Sequence, residues 1–529
     1  MKKKINDFIA CFSLASIIIC GPSLNNLADY NSNYHLDALR LVVFQLLTTI
    51  LILSFLYFLL IQKALFSKKK YIRYFTYSIF SISFAFFFRA LLKIISHEMK
   101  PIVYITLTFV TMLVIIALIF SFYKNSKKII RLITISFIVF FPFSILILSK
   151  MSTGFFASKT IVQTFKNNKP KVVWIIFDEW DHYLTFENRD KKLSLSTIDN
   201  FKQNYFHASK VYQPSNSTPL SLSSYLTGKI PKGFHIMGHD KVLLDFGNKK
   251  SESWKDLPSI FSKLKNENIN SAIIGWAFPY DRMYDNYLVK KKYYSNNKFI
   301  LSSIKQRYID MFLFYFLRPL NKLTMQKCNW IKKHIIKIVK CEGSQLYEVI
   351  LAHAKEIITD SSINFSFIHF SIPHPPIIYD SNKQKISTKI NSYIDQLMLV
   401  DKTIADIKNT LIKDGTWDET TLILTSDHWY RQAEWDNPIF HELITVTDKE
   451  REMLKNRKET LVPLIIKMPF QKESITYDEA FNAVAIHDLI LNIYKNKVSD
   501  ENDLISWLDS LDDNLRKPNQ DISCSHFLK

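Results

Sequence analysis

Glycine is scarce, with nine residues among 529. No GxGxxG or GxxxxGK[ST] pattern occurs, which excludes the common glycine-rich phosphate cradles. Cysteine is scarce too, and the five present show no metal-ligand spacing. Cys11 and Cys20 lie in an apolar segment, while Cys328 and Cys341 either pair in an oxidising compartment or stay as two free thiols. Acid is nearly missing from the first 165 positions, which hold 4 Asp/Glu against 18 Lys/Arg; the rest of the chain holds 44 against 50. Most of the net charge of +20 therefore belongs to an apolar region. That is the signature of membrane topology and not of a nucleic-acid surface.

Five apolar runs fill this region: about Phe8–Leu27, Leu41–Ile61, Tyr74–Ile95, Ile102–Tyr123 and Leu132–Ser149. Each is near the roughly 20 residues that cross a bilayer. Gly21-Pro22 interrupts the first, for which a signal peptide is the rival reading. Lys2-Lys3-Lys4, Lys63/Lys68/Lys69/Lys70/Arg73 and Lys124/Lys127/Lys128/Arg131 form basic clusters, and the intervening loops are poorer in charge. Arg40, Arg89 and Lys93 run against this pattern. The positive-inside rule then predicts a multi-pass plasma (inner) membrane protein with a cytoplasmic N-terminus. Everything beyond about Lys150 falls on the extracytoplasmic or periplasmic side. The expected division is a transmembrane anchor over 1–150, a linker over 151–168, a catalytic domain over 169–498 and a tail over 499–529.

From Lys169 short β-branched runs alternate with amphipathic stretches, the pattern of an α/β fold with a mainly parallel sheet. Lys171–Phe177 (KVVWIIF) reads as a buried strand ending in Asp178-Glu179. Ser271–Gly275 reads as a second, leading into Trp276 and Arg282, and Asn364–Phe370 as a third, leading into His374. Ser392–Lys413 carries apolar residues at helical spacing. Thr420–Leu424 is a fourth strand ending at Asp427-His428, and Leu461–Met468 a further one. Ligands of open α/β sheets bind at the carboxyl ends of strands, where these polar residues fall. Taken singly, each is equally a helix cap, a polar turn or a structural histidine. Residues 293–345 read as a basic insertion, and within it Met311–Leu317 is either an interfacial helix on anionic lipid or an ordinary buried helix with a basic face.

Gln213–Lys229 (QPSNSTPLSLSSYLTGK) places hydroxyls and a proline at a helix start. Unpaired N–H groups and the helix dipole favour an alkoxide there, though such a turn alone is usually only a cap.

In order, VVWIIFDE, TPLSLSSYLTGK, FSIPHPP, WDETTLILTSDHW and LVPLIIKMP resemble the sulfatase-like branch of the alkaline phosphatase superfamily. The resemblance covers about Lys169–Lys495, and the apolar first part is similar to membrane-anchored members, the lipoteichoic acid synthases and lipid A phosphoethanolamine transferases. It implies a bundle of about five transmembrane helices followed by an extracytoplasmic α/β/α alkaline-phosphatase-like domain. It also implies one divalent ion, Zn or Mn in preference to Ca or Mg, held by Asp178, the nucleophile oxygen, Asp427 and His428, with Glu179 as a further candidate ligand. Thr218 fits the nucleophile through Thr218-Pro-Leu-Ser221-Leu and its spacing to Gly228; Ser217, in Ser217-Thr-Pro, is the alternative. His374 is the expected acid or phosphate ligand, and Trp276, Arg282 and Arg431 the expected substrate contacts.

Classical sulfatases need a Cys or Ser that matures to formylglycine with Arg four residues on, and here Leu222 and Ser221 stand at those places. The expectation is therefore transfer of a phospho-headgroup, of phosphoethanolamine or phosphoglycerol type, from a membrane phospholipid to a cell-surface lipid or glycan through a threonine-linked intermediate. The alternative is a membrane-bound hydrolase of phosphate or sulfate esters, and the third reading is a non-catalytic binding protein.

Overall fold

A computed structural model describes 2–20, 36–66, short stretches between 69 and 76 and between 137 and 145, and most of 164–294 and 329–519. The chain forms two compact units.

In the first unit α1 (Lys2–Cys20) packs on α2 (Leu36–Phe66), with Phe8 edge-on to Phe58 at 6.0 Å and Gln62 Nε2 donating to Asp7 Oδ2 at 2.9 Å. Leu51, Ile52, Phe55, Leu56 and Leu59 recur on one face of α2 and are each about half exposed. Among the described residues no helix is long and apolar enough to cross a membrane; within α2 the described side chains begin only at 47. The expected spans Tyr74–Ile95 and Ile102–Tyr123 lie almost wholly outside the described residues, as does most of Leu132–Ser149.

The second unit is built on an eight-stranded sheet. In chain order its elements are β1 (Lys171–Asp178), α3 (Ser196–Asn204), β2 (Phe206–Ala208), α4 (Thr218–Thr227), α5 (Ile260–Asn266), β3 (Ser271–Trp276), β4 (Leu288–Tyr294), α6 (Asn329–Ile358), β5 (Phe365–Pro373), α7 (Tyr393–Asp414), β6 (Thr420–Ser426), β7 (Leu464–Lys467), β8 (Ile475–Tyr477), α8 (Ile486–Tyr494) and α9 (Glu501–Asp509). The strand order is β8-β2-β7-β6-β1-β5-β3-β4, and β7 alone runs against the others.

Alternation along β1 explains the layering. Val172, Trp174 and Ile176 enter one core with α4, α5, α8 and α9; Val173, Ile175 and Phe177 enter the other with α3, α6 and α7. A strand covered on both faces needs an unbroken apolar run, which is what KVVWIIF supplies. The helix expected at Ser392–Lys413 is α7, opened by a Ser392/Asp395 capping box and closed by Gly415 in the left-handed region at φ 77°.

Several boundaries differ from the sequence reading. The three-residue strands β2 and β8 are too short for any periodic signal. Of the block expected as an insertion, residues 293–294 complete the edge strand β4, and from Asn329 the chain is α6, whose later turns are buried on the sheet; 295–328 lie outside the described residues, with the proposed interfacial helix among them. The pairing of Cys328 with Cys341 also lies outside them. The acidic start of the tail is α9, which buries Leu504 and Leu508.

Gly228 closes α4 at φ 73°, and a Cβ there would come within 2.9 Å of the His487 ring. Gly228→Ala combines backbone strain with overpacking and is expected to cost about 1–3 kcal/mol, read as a lower melting temperature or denaturant midpoint.

Candidate active site

The carboxyl ends of β6, β1 and β5 lie side by side, with Phe177 in register with Ser426 and with Phe370. The residues that follow, Asp178 and Asp427-His428, therefore meet at one edge. Asp178, Asp427 and His428 are essentially fully buried and offer ligand atoms all within 4.8 Å of one another. His428 Nε2 lies 3.2 Å from Asp427 Oδ2 and 3.9 Å from Asp178 Oδ1.

Local hydrogen bonds aim these groups. Asp427 Oδ1 accepts the backbone N–H of Glu179 at 3.0 Å and of His428 at 2.8 Å, which leaves Oδ2 facing the cluster without a partner. His428 Nδ1 is 3.0 Å from the Trp429 carbonyl; a carbonyl only accepts, so Nδ1 carries the hydrogen and Nε2 keeps its lone pair toward the carboxylates. Both oxygens of Asp178 are buried and unpartnered. Burial, and then the neighbouring Asp427 charge, hold the Asp178 carboxyl well above its ordinary range. Burial raises Asp427 as well, against the Glu179 N–H and the Thr218 hydroxyl, and burial followed by the Arg431 charge drives His428 well below its ordinary value. Two buried carboxylates with orphaned oxygens beside an imidazole lone pair are costly as a bare set and fit a divalent cation.

The nucleophile candidates separate clearly. Thr218 opens α4, and its Oγ1 lies 3.1 Å from His428 Nε2 while remaining half-buried. Pro219 sits in the first turn, where its missing N–H costs nothing. Ser217 is the N-cap residue, but its Oγ makes no capping bond and is buried without a partner. Thr218 is thus the hydroxyl that joins the cluster.

Glu179, expected as a further ligand, is used otherwise. Its Oε1 accepts from Arg431 Nε at 2.7 Å and pairs with Nη2 at 2.7 Å, and its Oε2 accepts from Trp435 Nε1 at 2.8 Å. Burial raises its carboxyl to about 7 even against these donors. The Arg431 charge in turn is felt at Asp178, Asp427, His374 and His428.

His374 stands between the rings of Trp276 and Trp435, with centroids 5.2 and 5.0 Å away, and its backbone N–H donates to the Asp178 carbonyl at 3.0 Å. Burial, then Arg431, lowers it to about 3, so it is neutral at pH 7. Its Nδ1 donates to the Pro375 carbonyl, which leaves Nε2 as an acceptor. In this form the ring can take a proton or a hydrogen bond at Nε2. Arg282 lies in the short helix Tyr280–Met283, and its side chain lies outside the described residues.

Sequence reasoning missed His369, the one ionisable residue in the run Asn364–Phe370. It is fully buried, with Nε2 3.7 Å from Asp178 Oδ2 and Nδ1 3.2 Å from the Tyr280 hydroxyl. Gly275 permits this packing, since a Cβ there would lie 2.8 Å from the Tyr280 ring.

Residues 170–497 match the sequence profile of the family described as Sulfatase. No curated protein matches the chain. Among solved structures, the phosphonate monoester hydrolase of Agrobacterium radiobacter shares 12% identity over 62% of this chain and 74% of that one, with a TM-score of 0.37. An alkaline phosphatase superfamily protein from Vibrio parahaemolyticus shares 12% over 62% and 67%, with a TM-score of 0.36. The PsFucS1 sulfatase from Pseudoalteromonas sp. shares 12% over 64% and 74%, with a TM-score of 0.41.

Proposed function

The chain belongs to the sulfatase family and is an enzyme of the sulfatase and alkaline phosphatase type, and from that premise we propose that it transfers a phospho-headgroup, of phosphoethanolamine or phosphoglycerol type, from a membrane phospholipid to a cell-surface lipid or glycan. One observation carries this reading: an unmodified threonine hydroxyl, Thr218 Oγ1, 3.1 Å from His428 Nε2 at the mouth of the carboxylate cluster. Hydration of a formylglycine is what a sulfate-ester cycle would require, and a threonine has no route to it.

Asp178, Asp427, His428 and Thr218 would hold the divalent ion. Bound there, such an ion lowers the pKa of the hydroxyl and offsets charge on the transferring group. The rest of the chemistry is the chain's own. Thr218 Oγ forms a bond to phosphorus while the bond to the donor alcohol breaks, the donor oxygen leaving with the proton. The N-terminal N–H groups of α4 face the developing negative charge. The acceptor hydroxyl then attacks phosphorus from the vacated side and restores Thr218. His374 Nε2, a neutral acceptor, takes the acceptor's proton, which returns to the Thr218 oxygen as the bond from that oxygen to phosphorus breaks. Arg431 holds non-bridging oxygens.

Placement at the outer face of the plasma membrane is supported by the charge pattern of the first 165 residues and by the exposed apolar stripe Leu51, Ile52, Phe55, Leu56 and Leu59 on α2. Such a stripe is costly in water and satisfied by lipid.

The test is the intact mass of the full chain, with divalent metal, after incubation with mixed phospholipids. The expected result is an adduct on Thr218 whose mass names the headgroup. Ester cleavage that depends on Thr218, without an adduct and with headgroup released only to water, would replace transfer by hydrolysis. Neither adduct nor cleavage would sink both.

A further inference from the structure

Glu179 occupies an unusual place. It follows the strand-end Asp178 directly, is 0% exposed, and holds its backbone at φ 65°, a left-handed conformation that costs a glutamate energy unless its surroundings enforce it. Three sets of contacts enforce it. The N–H donates to Asp427 Oδ1 at 3.0 Å, the carbonyl accepts from the Tyr393 hydroxyl, and the carboxylate takes Arg431 and Trp435. Trp435 then flanks His374 at 5.0 Å.

One residue thus touches both halves of the site. Its main chain orients a carboxylate of the cation cluster, and its side chain fixes a cation and an aromatic ring that border the cluster. A carboxylate placed to bind metal would leave an oxygen facing Asp178 and His428; here both oxygens are taken by N–H donors. Arginine tethered at Nε and Nη2 loses its rotamer freedom before substrate arrives. Its remaining amino group, Nη1, lies 3.5 Å from the exposed Glu434 among the described residues.

We infer that Glu179 is a positioning residue and not a metal ligand: it anchors Arg431 and the Trp435–His374 wall so that Arg431 meets the anionic oxygens of a tetrahedral phospho-ester group. This rests on the reading of the site as one that takes such an ester, and it adds the device that sets the anion-binding arm. The pairing is a registration device between the two halves, since a buried ion pair of this kind adds little net stability over apolar packing.

The experiment uses the full chain with one divalent ion bound, as wild type, Glu179→Gln, Arg431→Gln and the double variant. Metal content, inorganic phosphate affinity, and kcat and KM for bis(4-nitrophenyl) phosphate are measured on each. Glu179→Gln is expected to keep its metal, to weaken phosphate binding about tenfold and to lower kcat/KM by roughly 10–100-fold, the range for loss of a charge-assisted contact. Arg431→Gln should do the same, and the double variant should be no worse than either single one, because the two act as a unit. Glu179→Asp, which keeps the charge, should recover part of the loss.

Loss of metal from folded Glu179→Gln, additive losses in the double variant, or no phosphate binding by wild type would each overturn the inference. Where Glu179→Gln does not fold, Arg431→Gln decides: unchanged phosphate affinity sinks the proposal and weakened affinity supports it. Coupled phosphate losses in a chain that forms no Thr218 adduct would keep this inference while removing the transfer reading.

Discussion

Thr218→Ala should abolish ester cleavage and transfer, with a loss on the order of 10⁴-fold or more, while metal content stays within reach of wild type. The magnitude follows from position. Thr218 Oγ1 is the hydroxyl that contacts His428 Nε2, whereas Ser217 Oγ is buried without a partner. A serine at 218 keeps the oxygen but loses the methyl that limits its rotamers, so Thr218→Ser should retain part of the rate. Ser217→Ala should change the rate only a few-fold, since the Ser217 hydroxyl makes no capping bond. The reverse ranking, with Ser217→Ala the inactive protein, would transfer the nucleophile role to Ser217.

Removing the metal should cost the catalytic domain its stability in a pH-dependent way. Asp178 and Asp427 both have carboxyls raised above the ordinary value of 3.8, chiefly by burial. Such an acid holds its proton in the folded state where the unfolded chain has lost it. Its contribution is therefore complete below about pH 3.8 and is lost as pH rises through the raised folded value. Chelated wild type should therefore fall progressively further below chelated Asp178→Asn in melting temperature from mildly acid to neutral pH, a comparison in which the buried histidines, lowered by burial and acting in the opposite sense, cancel. Added Zn or Mn should restore about 2.7 kcal/mol at a hundredfold excess over Kd, roughly 4 °C for a domain of this size. Asp178→Asn should lose metal affinity and yet melt at or above chelated wild type at pH 7, because a buried unpaired charge has gone. A gap between chelated wild type and chelated Asp178→Asn that does not widen from pH 4 to 7, with no response of wild type to metal, would rule out the cluster as a cation site.

Much of the arrangement was legible because strand periodicity and strand ends are local. KVVWIIF, SAIIG, NFSFIHF and TTLIL each read as buried strands, and a parallel sheet collects their carboxyl ends at one edge. Asp178, Thr218, Asp427 and His428 could be picked out on that basis together with the resemblance. His369 was not, since a histidine inside an apolar run gives no sign of which face it takes or what stands opposite. Nor did Glu179 show its purpose. Next to Asp178 in sequence, it reads as a second ligand, yet the left-handed turn at 179 sends its carboxylate to Arg431 and Trp435.

By itself the sequence determined the α/β class of the second unit, the strand ends that carry polar residues, the amphipathic helix at Ser392–Lys413, the helix start within Gln213–Lys229, and the apolar, basic character of the first 165 residues. These depend on neighbours a few positions apart. Only the tertiary structure decided that Thr218 and not Ser217 meets His428, that His374 is neutral between two tryptophans, and that Glu179 serves Arg431. Those outcomes depend on contacts between residues far apart in the chain, from His374 and Trp435, 61 apart, to Thr218 and His428, 210 apart, and on the burial those contacts produce. Burial sets protonation and aim together, and no local pattern encodes it.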